Sequence, residues 1–130
     1  MAYGTIATDT VQSSTAGVPP QFNDGSGSQV GALCRAWVSF DGTNGTIWQS
    51  LNVSSVTRTT TGQYTVNLSK TMPDTNYSIF ACGANSGNGT SYVSLRGIGN
   101  TTTTSSFMLT GSNGANGITD VTWTYAAIFR

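Results

Sequence analysis

From Gly31 onward the chain alternates apolar and polar residues with the two-residue period of a β-strand. Cys34, Ala36, Val38 and Phe40 share one face, and the alternation stops at Asp41-Gly42-Thr43-Asn44-Gly45, a run of turn formers. Residues 46–51 and 53–58 are the next two candidates. Residues 63–68 carry the clearest alternation, with Tyr64, Val66 and Leu68 on one side. Strands are also expected at 77–82, 91–96 and 105–110. The last, 121–129, sets residues 121, 123, 125, 127 and 129 on one face. A short strand about every 10–14 residues, with Gly and Asn between, is the pattern of a sandwich or barrel. No window has a helical period, so the expected fold is all-β: an antiparallel, jelly-roll-like β-sandwich.

Residues 1–31 differ. Their apolar positions are scattered, Pro19 and Pro20 are followed by Asn23-Asp24-Gly25-Ser26-Gly27-Ser28, and only residues 8–12 have strand character. The expected organisation is an extended N-terminal arm, 1–31, and a sandwich domain, 32–130. A polar terminus without a core is held only if it packs on another surface, most simply that of a neighbouring copy.

Composition narrows the chemistry. The chain has no histidine and no glutamate, while Gly, Ser, Thr and Asn make up about half of its 130 residues. The commonest general acid–base group is missing, as is one of the two carboxylates, so an enzyme is not expected. Two cysteines without histidine do not complete a four-ligand zinc site, and Cys34 and Cys82 are expected as free thiols; neither metal nor cofactor is expected. Five Lys/Arg balance five Asp. The basic residues are dispersed, which argues against a nucleic-acid partner. No stretch approaches a membrane span, and the opening residues lack the basic and apolar regions of a signal peptide, so no membrane insertion and folding in a cytoplasm are expected.

Four motifs then stand in order. Cys34-Arg35-Ala36-Trp37-Val38-Ser39-Phe40-Asp41-Gly42-Thr43 resembles the C/K-R/K-A-W-V-N-F-N/D-G-T segment of bacteriophage tail-fibre proteins. Leu51-Asn52-Val53-Ser54-Ser55-Val56-Thr57 is similar to their N-V-S-S-I-T. Thr61-Gly62-Gln63-Tyr64-Thr65-Val66-Asn67-Leu68 resembles T-G-D-Y-T-V-N-F, and Met72-Pro73-Asp74-Thr75-Asn76-Tyr77 resembles M-P-D-A-N-Y. Tyr3-Gly4-Thr5-Ile6 with Asp9-Thr10-Val11 is similar to the start of short proteins carrying such a domain. The resemblance implies a non-enzymatic virion structural protein of the tail-fibre or receptor-binding type, made in the host cytoplasm and assembled as a homotrimer. Its arm would contact other virion proteins, and its loops a host-surface glycan or protein. The alternative is a trimeric capsid decoration protein, favoured by a length too short for a fibre shaft.

Individual residues follow from these readings. Trp37 lies on the face opposite Ala36, Val38 and Phe40. It and Trp48 are read as core or subunit-interface residues, with sugar stacking as the alternative. Pro19 and Pro20 are interface candidates in the arm. Asn85, Asn88, Tyr92, Asn113 and Asn116 are ligand-contact candidates, in or beside the amide-rich loops 83–90 and 111–117. Asp41, Asp74 and Asp120 are read as turn residues rather than as a glycosidase pair.

Overall fold

The computed structural model describes residues 7–16, 18, 20–85, 91–94, 101–113 and 117–130, with 91–94 described by backbone alone. The chain divides into two compact units, Met1–Leu33 and Cys34–Arg130.

In the first unit, β1 (Phe22–Asn23) and β2 (Gln29–Gly31) form an antiparallel hairpin. The Asp24 carboxylate closes its turn, accepting the amides of Ser26 and Ser28, each at 2.9 Å, and the Ser26 hydroxyl at 2.7 Å. Residues 8–12, the stretch expected to be the strand, form none. The Thr8 hydroxyl instead bonds both the carbonyl and the amide of Thr10, a local bond that competes with a sheet ladder. The strands of this unit lie where the turn chemistry of residues 23–28 can join them.

The second unit is built from β3 (Cys34–Asp41), β4 (Thr46–Leu51), β5 (Val53–Thr60), β6 (Gln63–Leu68), β7 (Ser78–Ala84), β8 (Ser91–Ser94), β9 (Ser106–Asn113) and β10 (Trp123–Phe129). They form two four-stranded antiparallel sheets, β4-β3-β10-β7 and β5-β6-β9-β8, and no helix occurs among the described residues. The expected antiparallel sandwich is what the chain builds. Its core takes Ala36, Val38, Phe40, Ala126 and Ile128 from the first sheet and Tyr64, Val66, Leu68, Phe107 and Leu109 from the second. The Phe40 and Tyr64 rings meet edge to face across it, 5.3 Å between centroids.

Connections between the sheets account for several motif residues. Asn52 alone links β4 to β5, in the left-handed region at φ 55°. Its side chain fixes that corner, donating to the Arg35 and Lys70 carbonyls at 3.1 and 3.2 Å and accepting the Lys70 amide at 2.7 Å. Asn tolerates this conformation better than most residues and here also caps the neighbouring strand ends. Tyr77 precedes β7, its ring buried and its hydroxyl donating to the Thr103 carbonyl at 2.8 Å. At the other end, a Cβ on Gly42 would run into the Val121 carbonyl, so the β3–β4 turn packs directly on the approach to β10.

β10 has the alternation expected of it, but residues 123, 125, 127 and 129 face away from the core. Its buried set is Thr124, Ala126 and Ile128, opposite Phe40, Val38 and Ala36 of β3. Val121, of the same parity, is buried because it lies before the strand begins. The aromatic side chains Trp123, Tyr125 and Phe129 go outward, and Thr124, Ala126 and Ile128 inward.

Candidate contact surface

The two outer faces of the sandwich differ in chemistry. On the β5-β6-β9-β8 sheet, Ser55 lies opposite Asn67 and Thr57 opposite Thr65. The Asn67 amide donates to the Ser55 hydroxyl at 3.0 Å, and hydroxyls and amides dominate this side, with Met108 opposite Thr65. The β4-β3-β10-β7 sheet carries aromatic and aliphatic groups on the corresponding side. Register places Leu51, Trp37, Ala127 and Phe80 in one row across all four strands. The adjoining row is Gln49, Ser39, Tyr125 and Cys82. Directly opposite residues of an antiparallel pair share a face and touch, so each row is continuous. Trp123 extends the face towards one end, and Phe129 stands edge-on to Phe80 at 5.7 Å.

The exposure of this face is large. Phe80 is 64% exposed, Leu51 49%, Tyr125 43% and Trp123 39%. Phe80, Trp37 and Tyr125, with Ser39, Cys82 and Ala127, line a shallow depression of about 530 Å³. No charged side chain occupies either central row. Cys82 is a free, exposed thiol within the face, and Cys34 is also free, its thiol donating to the Ala36 carbonyl at 3.3 Å.

Trp37 thus sits half-buried at the centre of the face, on the side away from the core. Trp48 has a different position. The β3–β4 ladder shifts register between Ser39 and Phe40, which pair with Gln49 and Ile47, and Trp48 is the unpaired residue of the bulge. A bulge on an edge strand turns one side chain out of line, and Trp48 is 44% exposed there. Pro20 is half-buried in the first unit, and Pro19 lies outside the described residues. Sequence reasoning passed over Phe80, Tyr125, Trp123 and Leu51. The available signal was apolar residues on both faces of 78–84 and 121–129, which a one-sided strand does not need.

The loop candidates are placed as follows. Asn85 clamps the lead-in to β10, donating to the Asp120 carbonyl at 3.2 Å and accepting the Thr122 amide at 2.6 Å. Asn113 accepts the Gly117 amide at 2.8 Å and so holds the base of its own loop. Tyr92 is on β8 opposite Ser112; its side chain, Asn88 and Asn116 lie outside the described residues.

Three aspartates of the sandwich are occupied with structure. Asp41 accepts the Thr43 amide at 2.8 Å and its hydroxyl at 2.6 Å. Asp120 receives Arg58 in a two-pronged pair at 2.8 and 2.9 Å, and the Gly62 amide at 2.7 Å. Arg58, then the Gly62 amide and the Tyr64 hydroxyl, hold its carboxyl below the ordinary range against a partial burial cost. Asp74 is likewise lowered, by Arg130 and then by the Asn76 amide. A general acid of a glycosidase needs its carboxyl raised, the opposite of both. Among the described residues no group of His, Cys, Asp or Glu could hold a metal ion, and no helix is long and apolar enough to cross a membrane.

No protein-family model matches the chain, and no curated protein does. Among solved structures, the phiAB6 tailspike, crystallised with three-repeated oligosaccharides of Acinetobacter baumannii surface polysaccharide, is similar at 18% identity and a TM-score of 0.49. The match covers 95% of this chain but spans only 30% of the tailspike chain, a likeness that fixes neither fold nor function here.

Proposed function

We propose that this chain is a non-enzymatic bacteriophage virion protein of the tail-fibre or receptor-binding type, working as a homotrimer whose task is assembly and contact. The observation that carries the reading is the aromatic face on β4-β3-β10-β7, whose two central rows carry no charge, set opposite a face rich in hydroxyls and amides on the other sheet. Contiguous exposed apolar surface marks a site of interaction. The four tail-fibre-like motifs support the same reading, and their residues do identifiable structural work: the Asp41 turn, the Asn52 corner, the buried Tyr64 and the Tyr77 anchor. The resemblance therefore concerns the scaffold, and it leaves the ligand open.

The test is localisation and copy number in purified particles, by immunogold labelling and quantitative mass spectrometry. Label confined to the tail, at tens of copies or fewer, supports the proposal. Label over the whole head in hundreds of copies transfers the protein to capsid decoration, and absence from particles overturns both.

A further inference from the structure

We infer that Arg35 and Lys70 form a carboxylate-binding site at the Asn52 corner of the sandwich, and that its occupant is Asp9 in the arm of a neighbouring copy. The inference rests on the homotrimer reading and names one of its contacts. The corner brings the two cations together. Arg35 is the extra residue of a bulge in β3, since Ile128 pairs with Ala36 and Phe129 with Cys34. The Asn52 side chain donates to the carbonyls of both Arg35 and Lys70, which sets their backbones side by side at the β4–β5 link.

Among the described residues neither cation has a carboxylate partner, the ion pairs being Arg58–Asp120 and Arg130–Asp74. Arg35 is half-buried, and its Nη1 is shielded from solvent without a hydrogen-bond acceptor. A charged donor withdrawn from water and left unpaired is costly, so an arriving acceptor gains more there than at an ordinary surface cation. No hydrogen bond holds the guanidinium in place, so none is lost when it turns to meet that acceptor. Lys70 is exposed and supplies a second positive charge on a flexible stem.

The distribution of charge selects the occupant. All five Lys and Arg lie in the sandwich unit with three of the five Asp, while residues 1–33 hold Asp9 and Asp24 and no cation. The three sandwich carboxylates are engaged, Asp74 and Asp120 in the ion pairs and Asp41 by the amide and hydroxyl of Thr43. Asp24 is closed into its own turn by the amides of Ser26 and Ser28 and the Ser26 hydroxyl. That leaves Asp9, exposed in a segment that has strand-like spacing and forms no strand. Complementary charge on two segments fixes the register in which they meet. A coreless polar terminus is held only where it finds such a surface, and in a trimer the neighbouring sandwich offers one.

The experiment is sedimentation equilibrium of the full chain, the variants Asp9→Lys and Lys70→Glu, and the charge-swapped double variant, each at low and high salt. Circular dichroism and thermal unfolding confirm that each is folded, both positions being exposed. The expected result is a trimeric parent, with each single variant weakened roughly 10-fold or more because three contacts act together. The double variant should recover most of that loss. High salt should weaken the parent and narrow its gap to the single variants. Single variants as strongly trimeric as the parent, or a double variant no better than either single one, overturn the inference and leave the homotrimer reading standing. A parent monomeric throughout the micromolar range overturns that reading and this contact with it.

Discussion

Replacing Tyr64 by Phe removes one oxygen atom from the centre of the sandwich, and the structure says what that costs. The Tyr64 ring is fully buried and packs edge-on against Phe40, a contact that Phe preserves. The hydroxyl accepts the buried Val121 amide at 3.0 Å, joining the second sheet to the approach of β10 in the first. Phe leaves that amide without its acceptor where water does not reach, at a cost of about 1–3 kcal/mol. For a chain of this size each kcal/mol moves the melting temperature by roughly 3–4 °C, so a fall of about 3–12 °C is expected. The assay is thermal unfolding with urea titration at one protein concentration, because self-association makes the midpoint concentration-dependent. Tyr77→Phe is the contrast. It removes a donor from two carbonyls, of which Ser106's keeps the Thr103 amide at 2.8 Å and that of half-buried Thr103 is near solvent, so its cost should be smaller. If Tyr64→Phe changed stability by less than about 0.5 kcal/mol, the range of a surface substitution, the hydroxyl would not hold the sheets as described.

Three other perturbations probe the scaffold. Asn52→Ala should cost about 2 kcal/mol by denaturant unfolding, because it keeps the left-handed backbone and removes the caps on Arg35 and Lys70; Asn52→Gly, which relieves only the backbone, should fall between Ala and the parent. Gly62→Ala should lower stability by at least about 2 kcal/mol, since its φ is +65° and a Cβ would come within 2.5 Å of the Thr119 carbonyl oxygen. The depressed carboxyls of Asp120 and Asp74 set the acid response. A carboxylate lowered in the folded state contributes stability above its unfolded value of about 3.8 and loses it as pH falls through the folded value. The melting temperature should therefore drop as pH falls below roughly 4, and Asp120→Asn, less stable at neutral pH, should show a shallower drop.

Strands such as β3, β6 and β10 are legible as alternation because half-buried strands must segregate their side chains by parity. Residues 46–51 and 63–68 coincide with β4 and β6, where turn formers sit on both flanks. Strand order is another matter. Alternation says which face a residue joins but nothing of the neighbouring strand, and β10 finding its place between β3 and β7 depends on contacts far along the chain. The same gap hid the outer face. Trp37 stood out because it opposed Ala36, Val38 and Phe40, whereas Phe80 and Tyr125 acquire meaning only when β7 and β10 pair and bring their outward residues beside it. In the first unit, Thr8 and Thr10 offer strand-like spacing without a partner, and the hairpin forms where Asp24 can close a turn.

The claim that the aromatic face is a contact surface is tested most directly by hydroxyl-radical labelling of the unmodified protein, free at high dilution and in purified particles, read residue by residue with mass spectrometry. The account predicts that Phe80 and Tyr125 are labelled less in particles than in the free chain, while Thr57 and Thr65 of the opposite face keep a constant rate. Equal labelling of Phe80 and Tyr125 in both, at the rate of freely exposed rings, would contradict it.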